Sequence, residues 1–153
     1  VYFLGQPFFF AKTVQQTQDA TYAPWWTGPG PSMGVNSVLS LTCGAQGGFK
    51  ASFLSPYHGL DRAPKGSDYA DDIEMITAGS MMGVEFMLKQ LTADTLNRET
   101  VISKLQGGMK IPGGIFPPTD YSRGQFGGTG VYSLVPNCDA TQWATAEGPI
   151  NGG

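Results

Sequence analysis

Charge is scarce in this chain. Only 14% of its 153 residues are Asp, Glu, Lys or Arg, 9 basic against 12 acidic, and the formal net charge is −3. Lys and Arg never cluster, so no surface is set up to neutralise a phosphate backbone, and no nucleic-acid partner is expected. Histidine occurs once, as His58, and cysteine twice, as Cys43 and Cys138. That inventory is too small and too dispersed for a zinc site of ordinary ligand spacing, so no metal is expected. No apolar run approaches the roughly eighteen residues of a membrane-spanning helix. Gly28-Pro29-Gly30-Pro31 lacks the G-x-G-x-x-G order of a dinucleotide loop, and no phosphate loop occurs elsewhere. Val1 begins the chain with neither an initiating Met nor a basic n-region, so a mature product or an excised part of one is expected.

What the chain has instead is apolar side chain and turn. Hydrophobic residues make up 41%, with 22 Gly and 11 Pro, enough for one ordinary core and too much punctuation for a helical bundle. Val1 to Leu4 is a short continuous apolar run, the pattern of a parallel strand buried on both faces. Pro7 suits the first position of a helix whose inner side is Phe10, Ala11 and Val14, ending before Tyr22-Ala23-Pro24. Trp25-Trp26-Thr27 reads as the next strand, with the two indoles on opposite faces and each expected beneath a neighbouring helix; stacking of one on a ligand is the alternative. Val35, Val38, Leu39 and Thr42 then recur at helical spacing, and Phe49 to Leu54 forms a third strand. The first 57 residues therefore outline βαβαβ.

From His58 to Tyr69 the composition is loop-like. A long helix starts at Asp72, with Ile73, Ile76, Ser80, Val84, Met87, Leu88 and Leu91 as its expected face, and Met75, Met81, Met82 and Phe86 making the rest unusually apolar. Asn97 is a natural N-cap for a further helix, with Leu96 and Val101 as a staple and Val101, Ile102 and Leu105 as a short buried side, stopped by Gly107-Gly108. Ile111 to Pro118 is too rich in Gly and Pro to lie centrally in a sheet. Val131 to Val135, a turn at Asn137 to Ala140, and Gln142 to Ala146 form a terminal antiparallel hairpin. Residues 148–153 carry too little apolar side chain to order themselves and are expected as a flexible tail.

Reactive chemistry is thin. His58 has no recognisable triad beside it, so it is expected as an exposed loop histidine, with ligand contact and general-base catalysis as alternatives. Asp68, Asp71, Asp72 and Glu74 read as acids facing a helix macrodipole, against a calcium or acid–base role. Cys43 and Cys138 leave two readings open. One is a disulfide suited to an extracytoplasmic chain, worth about 4 to 5 kcal/mol by loop closure; the other is one buried and one exposed thiol. The strand exits at Gln6 and Thr27 offer backbone polarity beside aromatic walls, which suits a small organic solute. Gln6 can donate and accept. Phe8 is core packing or a pocket wall, and Tyr57 lines the same crevice or seals the end of the third strand.

The order of these signals resembles the C-terminal half of the type I periplasmic solute-binding proteins of the branched-chain amino acid (Leu/Ile/Val) class. It is carried by Val1-Tyr2-Phe3-Leu4-Gly5, Tyr22-Ala23-Pro24-Trp25-Trp26, Phe53-Leu54-Ser55-Pro56-Tyr57, the helix Ala78 to Leu91, Leu96-Asn97-Arg98-Glu99-Thr100-Val101 and the hairpin Val131 to Trp143. The resemblance implies an α/β fold with a mostly parallel sheet, flanking helices and a C-terminal β-hairpin, forming an incomplete two-lobed body. Residues 1–57 would be the βαβαβ portion of the second lobe, and 58–110 a crossover whose helices pack on the first lobe. Residues 111–147 would return to the second lobe, with 148–153 as the tail.

By the same resemblance the function is non-catalytic binding of a solute for delivery to an ABC permease, in the periplasm or outside the cell, with a lipid anchor an option in the parent protein. A ligand-sensing domain on this fold is the alternative, and an α/β enzyme fragment a more distant one. The partners implied are the solute, the permease and the missing N-terminal portion of the fold; no cofactor is implied. Ligand contacts would come from Gln6, Pro7 and Phe8 and from Thr27, Gly28, Pro29 and Gly30, with Tyr57 beside them. Amino-acid binders of the family carry a carboxylate near the second group, where this chain has Gly28-Pro29-Gly30. An aromatic acid, an amide or another neutral or anionic solute is therefore at least as well suited as a free amino acid.

Overall fold

The computed structural model describes residues 1–30, 35–124 and 127–151. Pro31, the last member of the Gly-Pro exit motif, and Gly152-Gly153 of the tail lie outside them. Helix α1 (Pro7–Thr17) begins on its proline and buries Phe10, Ala11 and Val14, one side of two turns. Strand β1 (Trp25–Pro29), helix α2 (Asn36–Thr42) and strand β2 (Lys50–Ser55) follow, with Val38, Leu39 and Thr42 as the inner face of α2. β1 and β2 are parallel, in register from Trp25↔Lys50 to Pro29↔Leu54.

Beyond β2 the chain leaves the sheet. It makes a 3-10 turn (Leu60–Arg62), then α3 (Asp72–Leu88), a second 3-10 turn (Ala93–Thr95) and α4 (Arg98–Gln106). Strands β3 (Lys110–Ile111) and β4 (Thr119–Asp120) pair only with each other, leaving Pro112 to Pro118 as the loop between them. The main sheet is rejoined at β5 (Gly130–Asn137) and closed by β6 (Gln142–Asn151), giving the order β1-β2-β5-β6. β5 runs antiparallel to β2 and β6 antiparallel to β5, so two of the three pairings are antiparallel and the sheet is mixed where a mostly parallel one was expected. A hairpin needs only a short turn to reverse direction, which is how β6 is added to β5, whereas β5 reaches β2 after the helical arm.

One face of the sheet carries the core. Phe10 meets Trp26 (ring centroids 5.7 Å apart) and Phe53 meets Trp143 (4.8 Å), both edge to face, with Val14, Leu39 and Leu134 packed among them. α1 and α2 both lie on this face. The opposite face has no helix among the described residues, and this corrects two expectations. Val1 to Leu4 is not a strand buried on both sides: it makes a single parallel bridge, Tyr2↔Thr27, and Tyr2 and Leu4 are 64% and 72% exposed. Trp25 and Trp26 do point oppositely, but only Trp26 is covered (2% exposed); Trp25 lies open at 56% with its indole N–H on Ser52 Oγ.

The helical arm departs further. The stripe that α3 buries is Asp72, Met75 and Gly79, because Ile115 and Phe116 press against Gly79, where a Cβ would come within 2.9 Å of either side chain. The expected face is largely outside: Ile73, Val84 and Leu88 are exposed, with Met81 and Met82 beside them, and Leu91 falls beyond the helix. α4 starts at Asn97 as expected, its side chain accepting the Thr100 N–H at 2.9 Å, yet none of its residues is buried. Nor are residues 148–151 a loose tail. They belong to β6, since backbone pairing with Gly130 and Val131 needs no apolar side chain.

Cys43 and Cys138 form a disulfide across 95 residues, tying the end of α2 to the β5–β6 turn.

Candidate functional site

The Val1–Phe3 segment and β1 run side by side. Thr27 N–H donates to Val1 O (2.9 Å) and Phe3 N–H donates to Thr27 O (2.8 Å), so the two exits at Gly5–Gln6 and Pro29–Gly30 leave the same end of neighbouring parallel segments. Just past β1 the chain passes close to β2 at Gly30, where a Cβ would stand 3.1 Å from Leu54 O, so a side chain there would need a local shift of a few tenths of an ångström.

A cavity of about 420 Å³ lies here, on the side of the sheet away from the core. Thr27, Gly28, Pro29 and Gly30 line it together. The remaining wall is Tyr2, Ser52, Phe53, Leu54 and Ser133, which reading along the sequence did not single out. Register explains them. Thr27 faces Ser52, and Leu54 faces both Pro29 and Ser133, so the period-2 alternation that sends Trp26 and Leu134 inward sends these outward together. Alternation within β2 announces Ser52 and Leu54, but Ser133 comes from a strand almost eighty positions on, and only the β2–β5 pairing brings it here. Among the described residues the Tyr2 phenol is the only ionisable side chain in the wall. Its polarity is hydroxyl and backbone.

Gln6, Pro7, Phe8 and Tyr57 do not line this cavity. Gln6 is the N-cap of α1 without a side-chain cap bond, Pro7 is the first helical residue, and Phe8 is exposed on the first turn with Lys12 Nζ 5.2 Å from its ring centre.

Tyr57 sits in a second polar cluster where β2 ends. Its N–H donates to the buried Ser55 hydroxyl (3.1 Å), and its phenol pKa is pushed up to about 12, chiefly by burial and then by the charge of Asp72. Asp72 is itself buried, and desolvation raises its carboxyl above the usual range against the opposing pull of the Asn36 N–H, which donates to Oδ2 at 3.0 Å. Asp71 and Glu74 are the helix-start acids expected: Asp71 accepts the Glu74 N–H and Glu74 accepts the Ala70 N–H. Asp72 is a first-turn acid as expected, with the N–H groups of Asp72 and Ile73 drawing on its carboxyl, but it is also buried.

His58 lies in the loop after β2, as expected, but not at the surface. It is 5% exposed, with Nδ1 2.8 Å from Gly59 O and its ring edge-on to Tyr132 at 5.7 Å. Asp61, the nearest acid in sequence, is occupied elsewhere, accepting both the N–H and the hydroxyl of Thr145. Among the described residues no group of three or more His, Cys, Asp or Glu could hold a metal ion. A separate cleft of about 360 Å³ runs between α3 and the Ile111–Pro117 loop, over Gly83 and Phe86, with the Glu85–Lys89 ion pair (2.6 Å) on α3 at its edge. None of the residues expected to contact a solute is in it.

Comparison with models of known protein families, with curated proteins and with solved structures found no match to this chain.

Proposed function

We propose that this chain binds a small organic solute without turnover, as part of an extracytoplasmic receptor whose occupied state is read by an ABC permease. The observation that carries the reading is the pair of neighbouring parallel exits, with Thr27, Gly28, Pro29 and Gly30 bordering a ligand-sized cavity. A wall of hydroxyls, backbone and apolar surface without Asp, Glu, Lys or Arg favours a solute with an aromatic or amide group. A free α-amino acid would bury its ammonium with no counter-charge.

Two further features support it. The apolar outer side of α3 is what a helix needs if it packs on a first lobe, and closure of two lobes over a solute is a change that a partner can recognise. The Cys43–Cys138 disulfide suits an oxidising compartment, and no helix of the described residues is long and apolar enough to cross a membrane. A sensing domain on the same fold would use the same cavity and differ only in what reads it.

Calorimetry on the intact protein with benzamide, benzoate and leucine tests the reading. Benzamide or benzoate should bind more tightly than leucine, with Thr27→Val weakening the contact about tenfold through loss of one buried hydrogen bond. Leucine binding tightest, or a turnover activity abolished by His58→Ala, would overturn it.

A further inference from the structure

Asp72 opens α3, which Asp71 caps by accepting the Glu74 N–H, and the first N–H groups of the helix, at Asp72 and Ile73, also draw on the Asp72 carboxyl. That carboxyl turns inward at 4% residue exposure and accepts the backbone N–H of Asn36, the first residue of α2. Asn36 in turn accepts the Trp143 N–H of β6 through Oδ1 at 2.9 Å. A relay thus runs from the sheet, through the start of α2, to the start of α3. The other buried residues of α3, Met75 and Gly79, lie one and two turns further on, and Gly79 meets Ile115 and Phe116 of the arm's own loop.

We propose that Asp72 is a conformational latch, whose carboxyl oxygen on the first N–H of α2 sets the angle at which the α3–α4 arm leaves the α/β unit. A carboxylate brought into an interface is costly unless hydrogen-bonded, so the position tolerates little displacement: moving α3 by a few ångströms breaks the bond and leaves both groups to find water. The arm's exposed apolar side is thereby held at one orientation to the strand exits at Pro29 and Ser55. Nothing in this device depends on what the neighbouring cavity binds.

The groups that bear on Asp72 among the described residues are Tyr57, at the exit of β2, and Asp71 on its own helix; α2 brings no ionisable side chain. Burial raises the Asp72 carboxyl, so the latched state holds a proton more firmly than a released one. The latch is therefore tightest below the ordinary carboxyl range and weakens as pH rises through the raised value.

Amide hydrogen exchange on the full chain, corrected for intrinsic chemistry, tests this. Asp72→Ala should speed exchange about tenfold or more, both at Asn36 and through Met75–Gly79 and Ile115–Phe116. Asp72→Asn keeps an acceptor without the charge and should protect Met75–Gly79 at least as well as the native residue at neutral pH, with no carboxyl-range pH dependence. Faster exchange at Asn36 alone would reduce Asp72 to a local cap and overturn the latch. Should Asp72→Ala not fold, the Asn variant decides: wild-type pH dependence, or lost protection of Met75–Gly79, overturns the proposal.

Discussion

Gln18 shows how one polar side chain can serve an interior that contains few. Its amide N–H groups donate to Gln46 O and Gly48 O while its oxygen accepts the indole N–H of the buried Trp26, so the end of α1, the loop before β2 and β1 are joined at one point. Trp143, equally buried, has no such partner for its Nε1 among the described residues, and aromatic contact with Phe53 and Phe49 is what holds it. Tyr57 has its chemistry altered by burial. Because its phenol rises from 10.0 to about 12 on folding, the neutral form is favoured by the fold. Its stabilising contribution is complete below about pH 10 and is lost as pH climbs toward about 12, with Tyr132 acting in the same direction. Urea denaturation across that interval should show stability falling by about 2 kcal/mol at most on account of Tyr57, and Tyr57→Phe should flatten the fall by that amount. An unchanged profile would mean that the phenol titrates as it does in water.

Among the elements, the β5–β6 hairpin is the one that completes the sheet, since β5 pairs with β2 and β6 with β5, covering the edge of the parallel pair and delivering Leu134 and Trp143 to the core. Its turn is fastened to α2 by the disulfide. Closing a loop of 95 residues restricts the unfolded chain enough to stabilise the folded one by about 4 to 5 kcal/mol in the chain-entropy model. Cys43→Ser with Cys138→Ser should lower the unfolding free energy by an amount of that order, read as a lower denaturation midpoint with an unchanged far-ultraviolet dichroism spectrum before the transition. Equal midpoints would show that the hairpin docks without the bond. At the outer edge, the turn after Tyr57 lies along β6: Thr145 hydrogen-bonds to Asp61, and Arg62 donates to Gly148 O at 3.0 Å, so the last strand is not left as an open edge.

Across the molecule, two broad apolar surfaces stand out among the described residues. One is the outer side of α3, and the other is the face of the sheet around Tyr2, Trp25 and Leu54. Since the side chains of the first surface are already in water, Met81→Lys with Met82→Lys should change unfolding free energy by no more than about 0.5 kcal/mol. The same pair should reduce binding of a hydrophobic dye and lower any concentration-dependent self-association measured by sedimentation. A large loss of stability would instead place these methionines in the core.

Much of the local structure was legible without coordinates. Pro7 and the Phe10-Ala11-Val14 side of α1, the helix at Val38-Leu39-Thr42, the Asn97 cap and the Tyr132-Leu134 alternation all follow from spacing, capping and period-2 pattern, which act over a few residues. Their expression does not depend on distant partners. The disulfide was one of two open readings, because two cysteines in a sequence carry no information on the distance between them in the fold.

What the tertiary structure alone decided is which side of each element is covered. An apolar stripe states that a surface prefers to leave water, but not whether the chain supplies the cover; hence Ile73, Val84 and Leu88 read as a buried face while Asp72, Met75 and Gly79 occupy it. His58 and Asp72, polar residues in polar sequence surroundings, became buried because β6, α2 and the Ile115 loop close over them, contacts made across dozens of residues. The cavity at Thr27 to Gly30 has the same origin. Two of its walls belong to β1 and β2, and the third, Ser133, arrives only through the pairing of β5 with β2. Short-range rules thus determined the elements, and long-range pairing, where the free energy depends on partners far apart in the chain, determined the interior and the site.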